Sequence, residues 1–174
     1  MERLIVAGFG GQGVLSLGQM IAYASMFENK NVTWLPSYGP EMRGGTANCS
    51  VVVDEAPIAS PIIATPDTLI AMNKPSLDKF IASVKKGGLV LVNSSLISDK
   101  VNRDDVKTIY VNANEIAHKI GNDKASNLVV LGAYIKHSGL FTKDEMLKTI
   151  EKVFAAKAKF IESNKAAFLA GYEL

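Results

Sequence analysis

Residues 4–14 read Leu-Ile-Val-Ala-Gly-Phe-Gly-Gly-Gln-Gly-Val, and they contain the strongest structural signal in the chain. The apolar run at residues 4–7 is typical of a strand that helices cover on both faces of a sheet. The glycines that follow, Gly8, Gly10 and Gly13, fit the spacing Gly-x-Gly-x-x-Gly. In such a turn the backbone can approach a ligand closely, and the first amides of the next helix face an anion. The stretch therefore predicts a strand, a tight glycine turn and a helix.

The rest of the chain alternates between short apolar strands and helices. Strands are predicted at residues 3–7, 32–35, 48–53, 68–72, 89–92 and 106–111, with an antiparallel orientation left open for the third. Helices are predicted at residues 12–27, 76–85, 115–120, 125–137 and 142–154, and from about residue 157 onward. A loop is expected at residues 36–45, which contain two prolines and three glycines.

This alternation predicts an α/β fold with a doubly wound, mostly parallel, Rossmann-like sheet. The C-terminal helices would form a cover over that sheet. No internal repeat or linker interrupts the pattern, so residues 1–174 are expected to form a single domain. Two helix starts can be assigned to particular residues. Ser76 is expected to cap the second helix, and Thr142 with Glu145 forms a capping-box pattern for the fifth.

Composition excludes several classes of function. Nineteen basic and seventeen acidic side chains leave a net charge of +2, which is too small for a nucleic-acid partner. Cys49 is the only cysteine, so this chain cannot supply the thiolates of an iron–sulfur cluster. No apolar run approaches the length of a membrane span, so no membrane partner is expected. The sequence begins without a signal-peptide pattern, and a cytoplasmic location is expected.

The glycine turn departs from an ordinary dinucleotide site. Such a site needs an acidic residue at the end of the second strand to hold the ribose hydroxyls. Here that strand ends in Trp-Leu-Pro-Ser at residues 34–37, and Glu41 lies further along in the loop. Two interpretations of residues 10–13 stay open: contact with an anion or phosphate, and a turn that only packs the first helix onto the sheet.

A second motif, Tyr-Gly-Pro-Glu-Met-Arg-Gly-Gly-Thr at residues 38–46, lies about 25 residues further on. Together with Gly-Phe-Gly-Gly-Gln-Gly-Val at residues 8–14, it resembles the gamma subunit, or gamma domain, of the 2-oxoacid:ferredoxin oxidoreductases. The resemblance continues through Cys-Ser-Val-Val at residues 49–52, Pro-Ile-Ala-Ser-Pro at 57–61 and Leu-Ile-Ala-Met-Asn at 69–73. It covers roughly the first hundred residues closely.

The resemblance implies a multi-subunit enzyme that converts a 2-oxoacid and coenzyme A into an acyl-CoA and CO2. It implies that thiamine diphosphate, magnesium and iron–sulfur clusters lie in partner subunits, and that this chain alone binds no cofactor and is inactive. The implied partners are catalytic alpha and beta subunits and a ferredoxin-like delta subunit, with ferredoxin reached indirectly. Residues 38–48 and 71–78 resemble the 2-oxoglutarate type most, followed by the ketoisovalerate and pyruvate types.

The candidate site residues belong to the two loops. Coenzyme A or another phosphate ligand is expected at Gly10, Gly11, Gln12, Gly13 and Arg43. Arginine suits such a role because its planar guanidinium binds phosphate or carboxylate through two hydrogen bonds. A subunit interface is expected at a set of residues that includes the same arginine: Tyr38, Met42, Arg43, Gly44 and Gly45. The structural alternatives are an internal ion pair of Arg43 with Glu41 and a role of Arg43 in capping a carbonyl-rich turn. No catalytic or metal-binding residue is expected.

Two other classes of protein share the fold. A stand-alone nucleotide-binding Rossmann protein would bind NAD or FAD by itself, but it would need the ribose-binding acid that is absent here. A non-enzymatic interaction module would bind partners only. Titration of the isolated chain with NAD and FAD tests for a stand-alone nucleotide-binding protein. Co-purification with an enzyme that contains thiamine diphosphate and iron–sulfur clusters would exclude a non-enzymatic module.

Overall fold

The computed structural model describes residues 1–41 and 44–174 and contains one central sheet. Its strands are β1 (Glu2–Phe9), β2 (Asn31–Tyr38), β3 (Thr46–Asp54), β4 (Thr68–Ala71), β5 (Leu89–Asn93) and β6 (Lys107–Val111). They lie in the order β2-β3-β1-β4-β5-β6. β1, β4, β5 and β6 are mutually parallel, whereas β3 is antiparallel to both of its neighbours. The mixed sheet with mostly parallel strands confirms the predicted fold class.

Helices flank the sheet on both faces. They are α1 (Val14–Phe27), α2 (Lys74–Phe80), α3 (Ala113–Lys119), α4 (Ser126–Ser138), α5 (Lys143–Val153) and α6 (Ile161–Tyr172). Leu4 and Val6 of β1 share one buried cluster with residues of α1, α4, α5 and α6. Ile5 and Ala7 point to the opposite face and join the cluster that contains Leu77 of α2. Alternate residues of one strand thus bury both faces, which explains the uninterrupted apolar run.

The second strand is longer than predicted. β2 continues through Pro36 and Tyr38, which were expected to belong to the loop. Proline is tolerated there because β2 is the edge strand of the sheet, where a missing N–H removes no bond to an inner neighbour. β1, α1 and β2 follow one another in the chain, but β3 lies between the two strands in the sheet.

Helix boundaries follow the local capping chemistry. The prediction that Ser76 caps the second helix was wrong, because Asn73 is the cap and its side-chain oxygen accepts from the Ser76 N–H at 2.9 Å. That helix also ends earlier than expected, at Phe80. The predicted capping box is confirmed: the Glu145 N–H donates to Thr142 Oγ1, and the Thr142 N–H donates to Glu145 Oε2 at 2.7 Å. In the ranges described, no helix is long and apolar enough to cross a membrane.

Candidate functional site

The glycine turn lies at the topological switch point of the sheet, where successive connections leave in opposite directions. From the carboxyl end of β1, helix α1 leads to β2 on one side of the sheet, while β4 flanks β1 on the other. In α/β sheets, crevices that bind ligands form outside the carboxyl ends of strands at such a switch point. The fold therefore places residues 8–13 at the position where a ligand is generally bound.

Two glycines of the turn have left-handed backbone conformations. The φ angle is 96° at Gly11 and 72° at Gly13. Residues other than glycine rarely adopt such positive φ angles. Gly13 is also the residue that precedes α1, and helix α4 approaches it closely. A Cβ atom on Gly13 would lie 2.6 Å from Asn127 Cγ, and Asn127 Nδ2 donates to the Gly13 carbonyl at 3.2 Å. This contact with Asn127 was missed by the sequence analysis, since no local pattern links two residues so far apart.

Gln12 ties the turn to the neighbouring strand. Its Oε1 accepts from the Phe9 N–H at 2.6 Å, and its Nε2 donates to the Met72 carbonyl at 3.2 Å. The amide oxygen thus bonds to the backbone of β1, and the amide nitrogen bonds to the backbone just after β4. The geometry gives Gln12 a role in holding the turn, whereas the neighbouring glycines present their backbone to the surface.

The two motifs identified in the sequence meet in the structure. The Gly10 N–H donates to the Gly45 carbonyl at 2.8 Å, and the Gly44 N–H donates to the Gly10 carbonyl at 3.2 Å. Glycine is required at position 45 because a Cβ atom there would overlap the Glu41 carbonyl group, with 3.1 Å to its carbon. Met42 and Arg43, both proposed as site residues, lie outside the described residues.

A cleft of about 310 Å³ opens where the loops meet the start of α1. Its walls are the rings of Phe9 and Tyr38 and residues of the glycine turn, of the first turn of α1 and of β3: Gly10, Gly11, Gly13, Val14, Leu15, Ser16 and Ala47. Tyr38 is 56% exposed, so its ring is available to a ligand or a partner. None of the described lining residues is charged, and α1 has no acidic residue in its first turn. An anion bound there would meet the positive end of the helix without repulsion from these residues.

The groups that could supply redox or nucleophilic chemistry lie elsewhere or are buried. Cys49 is fully buried under α1, and burial raises the pKa of its thiol to about 12, although the Trp34 side chain opposes this shift. A thiol of that pKa stays protonated and unreactive. Within the described ranges, no group of three or more His, Cys, Asp or Glu side chains could hold a metal ion. The described residues that line the cleft offer backbone amides and two aromatic rings.

The chain resembles known proteins over almost its whole length. The family model described as pyruvate ferredoxin/flavodoxin oxidoreductase matches residues 3–174. The chain is 43% identical over 173 residues to ketoisovalerate oxidoreductase subunit VorA of Methanothermobacter thermautotrophicus, covering 98% of this chain but only 36% of that protein. It is 34% identical to 2-oxoglutarate synthase subunit KorC of Methanocaldococcus jannaschii, covering 99% of this chain and 93% of KorC.

A solved structure supports the same assignment. The gamma subunit of a keto/oxoacid ferredoxin oxidoreductase from Geobacter sulfurreducens superposes with a TM-score of 0.84 at 29% identity, over 99% of this chain and 97% of that one. The resemblance inferred from the two loops is thereby confirmed. On this match and on the family model, the chain belongs to the pyruvate ferredoxin/flavodoxin oxidoreductase family.

Proposed function

We propose that the chain is the gamma subunit of a 2-oxoacid:ferredoxin oxidoreductase, which converts a 2-oxoacid and coenzyme A into an acyl-CoA and CO2. The observation that carries this proposal is the pair of hydrogen bonds that join Gly10 to Gly44 and Gly45. These bonds bring the two family motifs together in one surface. Catalytic alpha and beta subunits and a ferredoxin-like delta subunit would be its partners. Electrons would pass to ferredoxin through the complex.

The redox groups belong to the partners in this proposal. With Cys49 as its sole cysteine, the chain has too few thiolates for a four-cysteine cluster. The described residues also lack a carboxylate cluster suited to magnesium with thiamine diphosphate. This chain would then position a substrate and hold the assembly together, and it would be inactive alone.

Coenzyme A is the ligand that we assign to the cleft. Its phosphates carry negative charge, which suits backbone amides of Gly10, Gly11 and Gly13 at the start of a helix. Arg43 would add a guanidinium from the adjoining loop, and the exposed Tyr38 ring would offer an apolar contact. Gln12 would contribute indirectly, by keeping the turn in place through its bonds to Phe9 and Met72.

Two substrates are the leading candidates. The loop sequence at residues 38–48 favours 2-oxoglutarate, as the sequence analysis proposed. The higher identity to the ketoisovalerate subunit, 43% against 34% for KorC, favours the branched-chain 2-oxoacid ketoisovalerate. Assay of the purified complex with each acid and with pyruvate decides between them: the cognate substrate is the one with the highest kcat/KM.

Replacement of Arg43 by alanine tests the ligand and interface roles together. We expect the loss of a charge-assisted hydrogen bond to weaken coenzyme A use or subunit binding by about ten- to a hundredfold, or about 1.5–3 kcal/mol. Arg43→Lys is expected to rescue poorly, because an ammonium group cannot reproduce the planar fork of a guanidinium. The measurements are the KM for coenzyme A and the affinity between subunits, with Lys124→Ala, an exposed residue before α4, as the control.

The two measurements separate the possible roles of Arg43. A rise in KM alone assigns the residue to the ligand, and a loss of assembly alone assigns it to the interface. Unchanged values for both, with a lower melting temperature of the isolated chain, would leave Arg43 as an internal ion-pair partner.

A further inference from the structure

Helix α1 begins without a side-chain cap. Its cap position is Gly13, which has no side chain, whereas α2 and α5 are capped by Asn73 and Thr142. In the part of the chain that the structure describes, no group accepts a hydrogen bond from four successive backbone N–H groups, those of Gly13, Val14, Leu15 and Ser16. All four residues line the cleft beside the glycine turn. The start of α1 therefore leaves its backbone donors open to a ligand in that cleft.

The direction of the first of these helix donors depends on the carbonyl group before it. The peptide bond between Gly13 and Val14 is trans, so the Val14 N–H points away from the Gly13 carbonyl oxygen. That oxygen accepts from the Leu17 N–H at 2.9 Å and from Asn127 Nδ2 at 3.2 Å. Both lone pairs of the carbonyl are thus used. Rotation of this peptide would break these bonds and turn the Val14 N–H away from the cleft.

The Asn127 side chain is itself fixed by its own helix. Asn127 Oδ1 accepts from the Leu128 N–H at 3.0 Å, so both ends of the carboxamide are bonded to backbone. Residues 128–135, which make up most of α4, are all buried. The carboxamide therefore reaches the glycine turn from a helix that is anchored in the core. Support of this kind, from a rigid element behind the binding residues, keeps a ligand site in its productive geometry.

Asn127 lies behind the turn, on the side away from a bound ligand. It is not one of the described residues that line the cleft, whereas Gly13 is. A Cβ atom on Gly13 would lie 2.6 Å from Asn127 Cγ, so the approach depends on glycine at position 13. Any effect of Asn127 on a ligand in the cleft would therefore pass through the backbone of the turn.

We infer that Asn127 is a positioning residue for coenzyme A: it holds the Gly13 peptide so that the backbone amides at the start of α1 face the cleft. This inference rests on the proposed function. A turn that is fixed before binding loses less conformational freedom when the ligand binds, and the affinity is higher for that reason. Asn127 would thus act on the binding of coenzyme A and leave the chemical step, which belongs to the partner subunits in the proposed function, unchanged.

The test measures the coenzyme A kinetics of the complete complex. Asn127→Leu keeps a side chain of similar size that cannot donate to the Gly13 carbonyl. We expect the KM for coenzyme A to rise about three- to tenfold, which is the effect of losing one hydrogen bond between neutral groups. The kcat at saturating coenzyme A and the KM for the 2-oxoacid are expected to stay within about twofold of the wild type, because only ligand binding is weakened.

Asn122→Leu is the matched control for a purely structural effect. Asn122 is also a half-buried carboxamide, and it lies shortly before α4. Its Nδ2 donates to Asn164 Oδ1 at 3.2 Å and to Ser163 Oγ at 3.3 Å, both on α6, and it does not line the cleft. We expect Asn122→Leu to lower the melting temperature of the chain at least as much as Asn127→Leu does. The KM for coenzyme A is expected to stay at the wild-type value.

The outcomes distinguish this inference from the proposed function. An unchanged KM for coenzyme A in Asn127→Leu, with an active wild-type complex, overturns the positioning role and leaves the function standing. An equal rise in Asn122→Leu also overturns it, because lost stability would then explain both variants. A wild-type complex that turns over without coenzyme A overturns the proposed function and the inference together. Asn127→Ala, whose smaller side chain cannot collide with the turn, decides if Asn127→Leu does not fold.

Discussion

Replacement of Gly13 by valine is expected to cost about 2–4 kcal/mol of folding stability and to abolish assembly of an active complex. Two effects add at this position. The φ angle of 72° strains a β-branched residue, and the new Cβ atom would lie 2.6 Å from Asn127 Cγ on α4. Relief of the clash would require the Asn127 side chain to move, which would break its hydrogen bond to the Gly13 carbonyl. Chemical denaturation of the isolated chain and activity of the complex are the measurements.

Gly11→Val is the matched control for that prediction. Gly11 also has a positive φ angle, 96°, but nothing described lies within 4 Å of a Cβ atom placed there. Only the backbone strain remains, which costs about 1–2 kcal/mol. A loss of stability as large at Gly11 as at Gly13 would contradict the importance of the Asn127 contact. If Gly11→Val folds but loses coenzyme A use, the backbone at residue 11 is part of the ligand site.

Replacement of Gly171 by alanine is expected to lower the free energy of unfolding by about 3–5 kcal/mol, although it adds only one methyl group. Gly171 lies on α6 where that helix crosses α4, and a Cβ atom would overlap the Val129 carbonyl group, with 2.7 Å to its carbon. Backbone atoms cannot rotate away as a side chain does, so the helices would have to separate. Gly132 on α4 meets α6 in the same way, with 2.7 Å from its added Cβ atom to the Tyr172 nitrogen.

The thermal unfolding of Gly171→Ala, followed by circular dichroism, provides the measurement. Gly139→Ala is the control: this residue has a φ angle of 65° but no described atom within 4 Å of the added Cβ, so a loss of about 1 kcal/mol is expected. Equal melting temperatures for Gly171→Ala and the wild type would show that α4 and α6 are further apart than the structure indicates.

Local patterns predicted most of the elements and the position of the glycine turn. The apolar run at residues 4–7 and the glycines at 8–13 specify a strand, a turn and a helix because backbone sterics act within a few residues. The capping box at Thr142 was predictable for the same reason. The end of β2 was not, because Pro36 is normally a loop signal and is compatible with a strand only at an edge. Edge position is a property of the whole sheet.

The α/β class, the glycine turn and the two motifs that carry the family resemblance are all encoded in local sequence patterns. That these motifs form one surface follows from the packing of the whole sheet. β3 inserts between β1 and β2, and its antiparallel register pairs Phe9 with Thr46, so that Gly10 bonds to Gly44 and Gly45. Periodicity reports which faces of a strand are buried, but not which strand lies beside it. Strand order depends on how all the helices and strands bury their apolar faces together, and the candidate site exists only once that packing is complete.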